Sequence, residues 1–145
     1  MSYGLENANT VVTVDLGKVQ RNIERIRSHI GPNVDIMYTA KSNGYGHGLI
    51  RPTLFMRDKC GIHCFATGQL SEALELRQAG LEDFTLVLGG IPYSGVPAFV
   101  ANDLVATVYE DTLPRALNEE AARQGKRVKV HIKIDTGLRR FGVQP

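Results

Sequence analysis

From residue 34 onward, short apolar segments of strand character alternate with segments whose apolar residues recur at helical spacing. Strands are expected at 34–41, 62–67, 84–88, 104–109 and 128–135. Helices are expected at about 49–58, 69–79 and 111–124, with at most a short one at 96–101. Such alternation with short connections favours a parallel α/β sheet with right-handed crossovers. Two architectures remain open at this point, the doubly wound sheet and the eight-stranded (β/α) TIM-type barrel.

The segment before this pattern is expected to add one strand and one helix. Thr10–Val14 is β-branched almost throughout, which favours a short strand. Asp15 can cap the helix that follows, and Gly31 and Pro32 can end it. The helix would carry one apolar stripe, which consists of Leu16, Val19, Ile23, Ile26 and Ile30. We expect this stripe to pack against the sheet.

A lysine stands at the end of the first strand of the alternating pattern. Alternation places Met37, Thr39 and Lys41 on one face, and both faces of the strand are mostly apolar, as in a sheet covered on both sides. In a parallel barrel, chemistry takes place at the carboxyl ends of the strands, and a desolvated amine there can attack a carbonyl. The alternative, a surface lysine before a flexible glycine-rich loop, is the commoner case for an isolated lysine.

The last expected strand has one polar face and one apolar face. Its polar face consists of Lys129, His131, Lys133 and Asp135, and its apolar face of Val128, Val130, Ile132 and Ile134. Four polar side chains on one face must meet water, each other or a site. The segment is therefore either an edge strand that faces solvent or a barrel strand whose inward face lines an active site, and the periodicity leaves both open.

The chain of 145 residues is long enough for one domain with a core. Its net charge of +2 comes from scattered residues and forms no basic face, so nothing indicates a nucleic-acid partner. No apolar run approaches the length of a membrane span, and the start of the chain has neither a basic n-region nor an apolar h-region. We therefore expect a cytoplasmic protein.

The two cysteines, Cys60 and Cys64, flank a segment that contains His63. Two cysteines and one histidine are three potential zinc ligands that lie close together in the sequence, but no second ligand pair at zinc spacing accompanies them. Free cysteines are among the most buried residue types. We expect buried thiols here and no metal.

Two segments resemble motifs of the alanine racemase family, in the order in which that family has them. Residues 40–48, Ala-Lys-Ser-Asn-Gly-Tyr-Gly-His-Gly, resemble its cofactor-lysine motif. Residues 133–142, Lys-Ile-Asp-Thr-Gly-Leu-Arg-Arg-Phe-Gly, resemble the segment that runs from a barrel strand into a substrate-contacting loop. Between them, Glu72 and residues 73–80 resemble the family's second helix, with no chemistry attached. The family consists of pyridoxal 5'-phosphate enzymes with an α/β barrel followed by a β domain, so the resemblance implies the barrel.

The resemblance also implies roles for four residues. Lys41 would carry the cofactor aldehyde as a Schiff base and act as one of two bases. Tyr45 would donate a hydrogen bond to the cofactor phosphate. Arg140 would bind the substrate carboxylate and the edge of the cofactor, because a planar guanidinium matches a carboxylate. Lys133 would match a lysine that is often carbamylated in the family and that orients the arginine. The implied substrate is alanine, with serine next.

A complete barrel of this kind needs about 250 residues, so we expect residues 1–145 to be the N-terminal part of one, with about five of eight strands. The resemblance implies that the absent β domain supplies a tyrosine as the second base and that the full-length protein is a homodimer. The chain alone is then expected to bind the cofactor weakly at most and to be inactive as a racemase. The alternative is a non-catalytic module that holds pyridoxal phosphate or pairs with a partner supplying the other strands.

Overall fold

The computed structural model describes residues 10–145. Its helices are α1 (Leu16–Ile30), α2 (Lys41–Tyr45), α3 (Ile50–Cys60), α4 (Leu70–Gln78), α5 (Val96–Ala101) and α6 (Thr112–Gln124). Its strands are β1 (Met37–Thr39), β2 (Cys64–Thr67), β3 (Phe84–Val87), β4 (Val105–Val108) and β5 (Lys129–Ile132). A 3-10 turn at Tyr93–Gly95 precedes α5. The alternation predicted from residue 34 onward is confirmed, although the strands are shorter at their ends than predicted.

The five strands form one parallel sheet in the order β1-β2-β3-β4-β5. Each strand pairs with the next one along the chain, as in the register Ala66↔Leu86 between β2 and β3. A doubly wound sheet reverses its strand order at a switch point, whereas a barrel adds each strand on the same side of the last. The sequential order therefore decides between the two architectures that the sequence left open, in favour of the barrel type.

The core lies between the helices and the outer face of the sheet. Phe65 on β2 is fully buried with Met56 of α3 and Leu76 of α4. Further along the sheet, Phe99 of α5 and Leu117 of α6 are buried in a second cluster. Burial of each such side chain stabilises the folded state by roughly 1.5–3 kcal/mol, because its apolar surface is removed from water. These clusters hold the strand ends in register, and so they position the loops that follow the strands.

The inner face of the sheet is only partly covered. Ala66, Leu86 and Val105 form a small buried cluster on the central strands. By contrast, Met37 on β1 is 38% exposed, and all four residues of β5 are exposed. The expectation that β1 is covered on both sides is wrong within residues 10–145, because no described element packs on its inner face.

The predicted strand at Thr10–Val14 is also wrong, since this segment has no strand pairing and Val12 is 76% exposed. The helix predicted after it does begin at the expected cap, where Asp15 Oδ1 accepts the Lys18 amide at 3.0 Å. Its apolar stripe is buried only in part, because Ile23 is buried and Ile26 is 45% exposed. A membrane-crossing helix is absent from residues 10–145, where every helix is too short or too polar for one.

Candidate active site

Lys41 lies directly beyond the carboxyl end of β1. The Ala40 amide donates to the Ala66 carbonyl at 2.8 Å, which extends the pairing of β1 with β2 to the residue before the lysine. Ala40 is fully buried, and the Lys41 side chain is half-buried with its Nζ 5.8 Å from the centroid of the Tyr45 ring. The sheet therefore fixes the Cα of Lys41, and the side chain reaches over the edge where the parallel strands end.

The turn that follows Lys41 has a left-handed backbone. Ser42, Asn43 and Tyr45 have φ values of 55°, 50° and 52°, although none of them is glycine. This conformation costs roughly 1–2 kcal/mol for each ordinary residue. Two hydrogen bonds hold it locally, from the Gly44 amide to the Ala40 carbonyl at 3.2 Å and from His47 Nδ1–H to the Gly44 carbonyl at 2.8 Å. Element α2 is therefore a specific strained turn and not a regular helix, and the glycine-rich loop expected after the strand takes this form.

Two glycines let the neighbouring strands approach Lys41 closely. A Cβ added at Gly68, after β2, would lie 3.2 Å from the Lys41 Cβ. One added at Gly89, after β3, would lie 2.3 Å from the Gly68 carbonyl oxygen, closer than any real contact. Sequence reasoning did not single out either glycine, and their place after consecutive parallel strands was the signal that could have identified them.

Asp135 organises the loop of the second motif. It is 7% exposed, and its Oδ1 accepts the amides of Gly137 and Arg139 at 2.9 and 3.0 Å. Gln144 Nε2 donates to its Oδ2 at 3.2 Å. Because the Arg139 and Gly137 amides favour the charged carboxylate, they hold the pKa of Asp135 below its ordinary value. The side chain expected on the polar face of the last strand therefore has a structural role in shaping the loop that carries Arg140.

Lys133 and Arg140 meet around one aromatic ring. Lys133 Nζ lies 5.8 Å and Arg140 Cζ 5.9 Å from the centroid of the Phe141 ring, and the centroid of the Tyr109 ring lies 5.4 Å from it with the two rings tilted by 37°. Among the ion pairs between residues 10 and 145, neither cation has a carboxylate partner. A cation over a ring gains roughly 0.5–1 kcal/mol at an exposed site, so the Phe141 ring can stabilise each of the two cations.

The structure brings the predicted site residues together in two groups. Lys41 and Tyr45 lie at the end of β1, and Lys133 and Arg140 lie beyond β5. Both groups are at the carboxyl edge of the sheet, but β2, β3 and β4 separate them. At about 4.8 Å for each strand spacing, the separation along the sheet is roughly 19 Å. No direct contact joins the two groups within the described part of the chain.

The cysteine segment forms no comparable site. Cys60 is buried, and burial raises the pKa of its thiol. Cys64 is half-buried on β2, and the two cysteines are unlinked. Residues 10–145 contain no group of three His, Cys, Asp or Glu side chains placed to hold a metal ion.

The residues at the end of β1 fit one end of pyridoxal phosphate. Lys41 offers an amine with no carboxylate partner in the described ion pairs. Tyr45 offers a phenolic hydroxyl on a side chain that is 67% exposed, and Gly68 leaves the lysine stem free of a neighbouring side chain. Pyridoxal phosphate requires an amine that can react with its aldehyde, and a hydroxyl can donate a hydrogen bond to its phosphate.

Comparison with known proteins gives concordant results. Residues 14–145 match the family model for the N-terminal domain of alanine racemase. The chain is 40% identical over 133 residues to alanine racemase 1 of Caldanaerobacter subterraneus subsp. tengcongensis, an alignment that covers 92% of this chain and 34% of that protein. The chain thus spans about a third of that relative's length.

Solved structures agree in fold. An alanine racemase from a D-cycloserine-producing Streptomyces lavendulae superposes with a TM-score of 0.84 at 29% identity, over 91% of this chain and 34% of that one. A histidine racemase from Leuconostoc mesenteroides superposes with a TM-score of 0.81 at 26% identity, over 89% and 34% of the two chains. This chain therefore belongs to the alanine racemase family, of which it carries an N-terminal portion.

Proposed function

We propose that residues 1–145 are the cofactor-lysine part of a pyridoxal-phosphate-dependent racemase that interconverts L- and D-alanine, with serine as the second substrate. The observation that carries this proposal is the placement of Lys41. Its amine lies at the carboxyl edge of a barrel-type sheet, beyond a buried alanine and above a glycine that leaves its stem unobstructed. A histidine racemase of the same fold shows that the scaffold alone does not select alanine.

Lys41 and Tyr45 are the cofactor-binding residues in this proposal. Lys41 would hold the cofactor at its aldehyde, through the Nζ atom. Tyr45 donates its hydroxyl hydrogen to the phosphate, and its exposed ring stands 5.8 Å from the lysine amine. The cofactor, when bound, supplies an electron sink for the carbanion. In its free, neutral form, the Lys41 amine would take the α-proton from one face of the substrate or return it there.

Arg140 receives the carboxylate of the substrate and the edge of the cofactor in this proposal. Its exposed guanidinium, with no carboxylate partner within the described residues, supports this role. Lys133, whose Nζ lies 5.8 Å from the same Phe141 ring, positions Arg140 in this proposal. Carbamylation would turn the Lys133 side chain into an anion, so that it would attract the guanidinium instead of repelling it.

A racemase needs a second base on the opposite face of the substrate, and we assign this role to no tyrosine within residues 10–145. Tyr38 contacts Phe65 edge-on at 6.5 Å, away from Lys41, and burial raises the pKa of its hydroxyl. Tyr93 and Tyr109 lie near α5 and Phe141, and Tyr3 lies outside the described residues. We therefore propose that the rest of a full-length cytoplasmic homodimer completes the site and that this chain alone is inactive as a racemase.

The open edge of the sheet favours a second candidate, a module that pairs with a partner. Ile132 on β5 is 70% exposed, and Ile134 beyond it is 56% exposed. An edge strand with such side chains is a template for pairing with another chain. This candidate requires no chemistry at Lys41.

Reductive trapping tests the proposal. The purified chain and the Lys41→Ala variant are mixed with pyridoxal phosphate, reduced with borohydride and mapped by peptide mass spectrometry. We expect Lys41 to carry more label than the exposed Lys18 and Lys59, and we expect this excess label to be absent from the variant. Equal labelling of all lysines in a folded chain would remove Lys41 from its role and leave the pairing module as the better candidate.

A further inference from the structure

Glu72 ties three loop amides together beside Lys41. Its Oε1 accepts the Ser42 amide at 2.6 Å, and its Oε2 accepts the amides of Gly68 and Gln69 at 2.8 and 3.2 Å. Glu72 lies in the first turn of α4, after β2, whereas Ser42 follows Lys41 after β1. A single half-buried carboxylate therefore joins the ends of two adjacent strands on both sides of the lysine.

Helix capping explains only part of this arrangement. Glu72 and Gln69 form a capping box, in which the glutamate accepts the amide of the residue that begins the helix. That pairing accounts for the Gln69 bond. It does not account for the bond to Ser42, thirty residues earlier in the chain, which is the shortest of the three. The carboxylate therefore both caps its own helix and binds the backbone of the turn that follows Lys41.

The contact falls on the residue where the strained turn starts. Ser42 is the first of the left-handed residues, with φ 55° and ψ 48°, and it directly follows Lys41. Such a conformation persists only where its surroundings hold it. A charge-assisted hydrogen bond to an amide is about twice as strong as a neutral one, so the Ser42–Glu72 bond opposes the relaxation of Ser42 to a right-handed conformation.

We propose that Glu72 is a positioning residue for Lys41: its carboxylate locks Ser42 in the left-handed turn and thereby sets the direction in which the Lys41 amine projects. The importance of this direction rests on the proposed function, in which that amine captures an aldehyde. Gly68 belongs to the same arrangement, since a Cβ there would meet both the Lys41 Cβ at 3.2 Å and Glu72 Oε2 at 3.3 Å.

The test compares Glu72→Gln with Glu75→Gln on the full chain. Glu75 lies on the same helix, is exposed and has no side-chain hydrogen bond to the loop among the described contacts, so it is a matched control for the loss of one charge. Glu72→Asp is the second variant, because it keeps the charge but is too short by one methylene to reach Ser42. Two quantities are measured, the backbone chemical shifts of Ser42, Asn43 and Gly44 without cofactor, and borohydride-trapped pyridoxal phosphate on Lys41 relative to exposed Lys59.

We expect both Glu72 variants to lose the left-handed chemical shifts and to label Lys41 about tenfold less, the factor for one charge-assisted hydrogen bond. Labelling of Lys59 and the behaviour of Glu75→Gln should stay as in the wild type. Unchanged shifts or unchanged Lys41 labelling in a folded Glu72 variant would overturn the inference, as would an equal fall at Lys41 and Lys59. If wild-type Lys41 is not labelled, the proposed function fails in this chain, and the shifts alone decide whether Glu72 holds the turn.

Discussion

Replacing Gly89 by alanine should destabilise the whole sheet edge beneath Lys41. The added Cβ would lie 2.3 Å from the Gly68 carbonyl oxygen, and that atom is backbone held by β2, so no side-chain rotation relieves the clash. Overpacking of this kind costs about 1–3 kcal/mol, and a clash with backbone lies at the upper end, at about 2–3 kcal/mol. For a domain of this size, that free energy lowers the melting temperature by roughly 8–12 °C.

Gly90→Ala is the matched control, because no atom lies within 4 Å of a Cβ at Gly90. Thermal unfolding followed by circular dichroism compares the two variants with the wild type. We expect Gly90→Ala to melt within about 2 °C of the wild type, as surface substitutions usually do. Equal melting temperatures for Gly89→Ala and Gly90→Ala would refute the reasoning that close approach of β2 and β3 requires a glycine.

Three other predictions concern the core, the substrate loop and the open edge. Phe99→Ala, at a fully buried position of α5, should lower the free energy of unfolding by about 3–5 kcal/mol in urea titrations, and an effect below 1 kcal/mol would contradict its place in the core. Asp135 has a lowered pKa in the folded chain, so its stabilisation of the loop is present above its unfolded pKa of about 3.9 and is lost as the pH falls through the folded value. The protection factors of the Gly137 and Arg139 amides, taken relative to their intrinsic exchange rates at each pH, should therefore fall on acidification in the wild type and be low at every pH in Asp135→Asn. Wild-type protection factors that do not change on acidification would speak against this. Ile132→Lys should reduce self-association of the chain in sedimentation experiments, because a charge blocks pairing at the β5 edge, and unchanged association would show that another surface is responsible.

Much of the fold was predictable because its signals are local. Each predicted strand from residue 34 onward is a short apolar segment, and the two longest helices between them are followed directly by a glycine, Gly61 and Gly125. The strand predicted at Thr10–Val14 failed because β-branched residues favour a strand only where a neighbouring strand accepts them. Nothing within residues 10–145 pairs with that segment.

The candidate site was predictable to a lesser degree. The motifs identified Lys41, Tyr45, Lys133 and Arg140, but their roles remain predictions. Neither the left-handed turn at Ser42 nor the hydrogen bond that Glu72 accepts from the Ser42 amide has a sequence signature, since the two residues meet only when β1 and β2 pair. The approach of two cations to the Phe141 ring is likewise a consequence of how the loop folds back on Asp135.

The sequence by itself determined the alternating strands and helices, the lysine at the end of the first of these strands and the membership of a family. Apolar periodicity and short motifs depend only on neighbours in the chain, so they can be recognised without a structure. The tertiary structure alone decided that the strands follow one another in sequential order and that the residues of β5 are exposed. It also decided that Glu72 bonds to the turn that follows Lys41. Those features arise from contacts between residues far apart in the chain, and such contacts exist only once the sheet has formed.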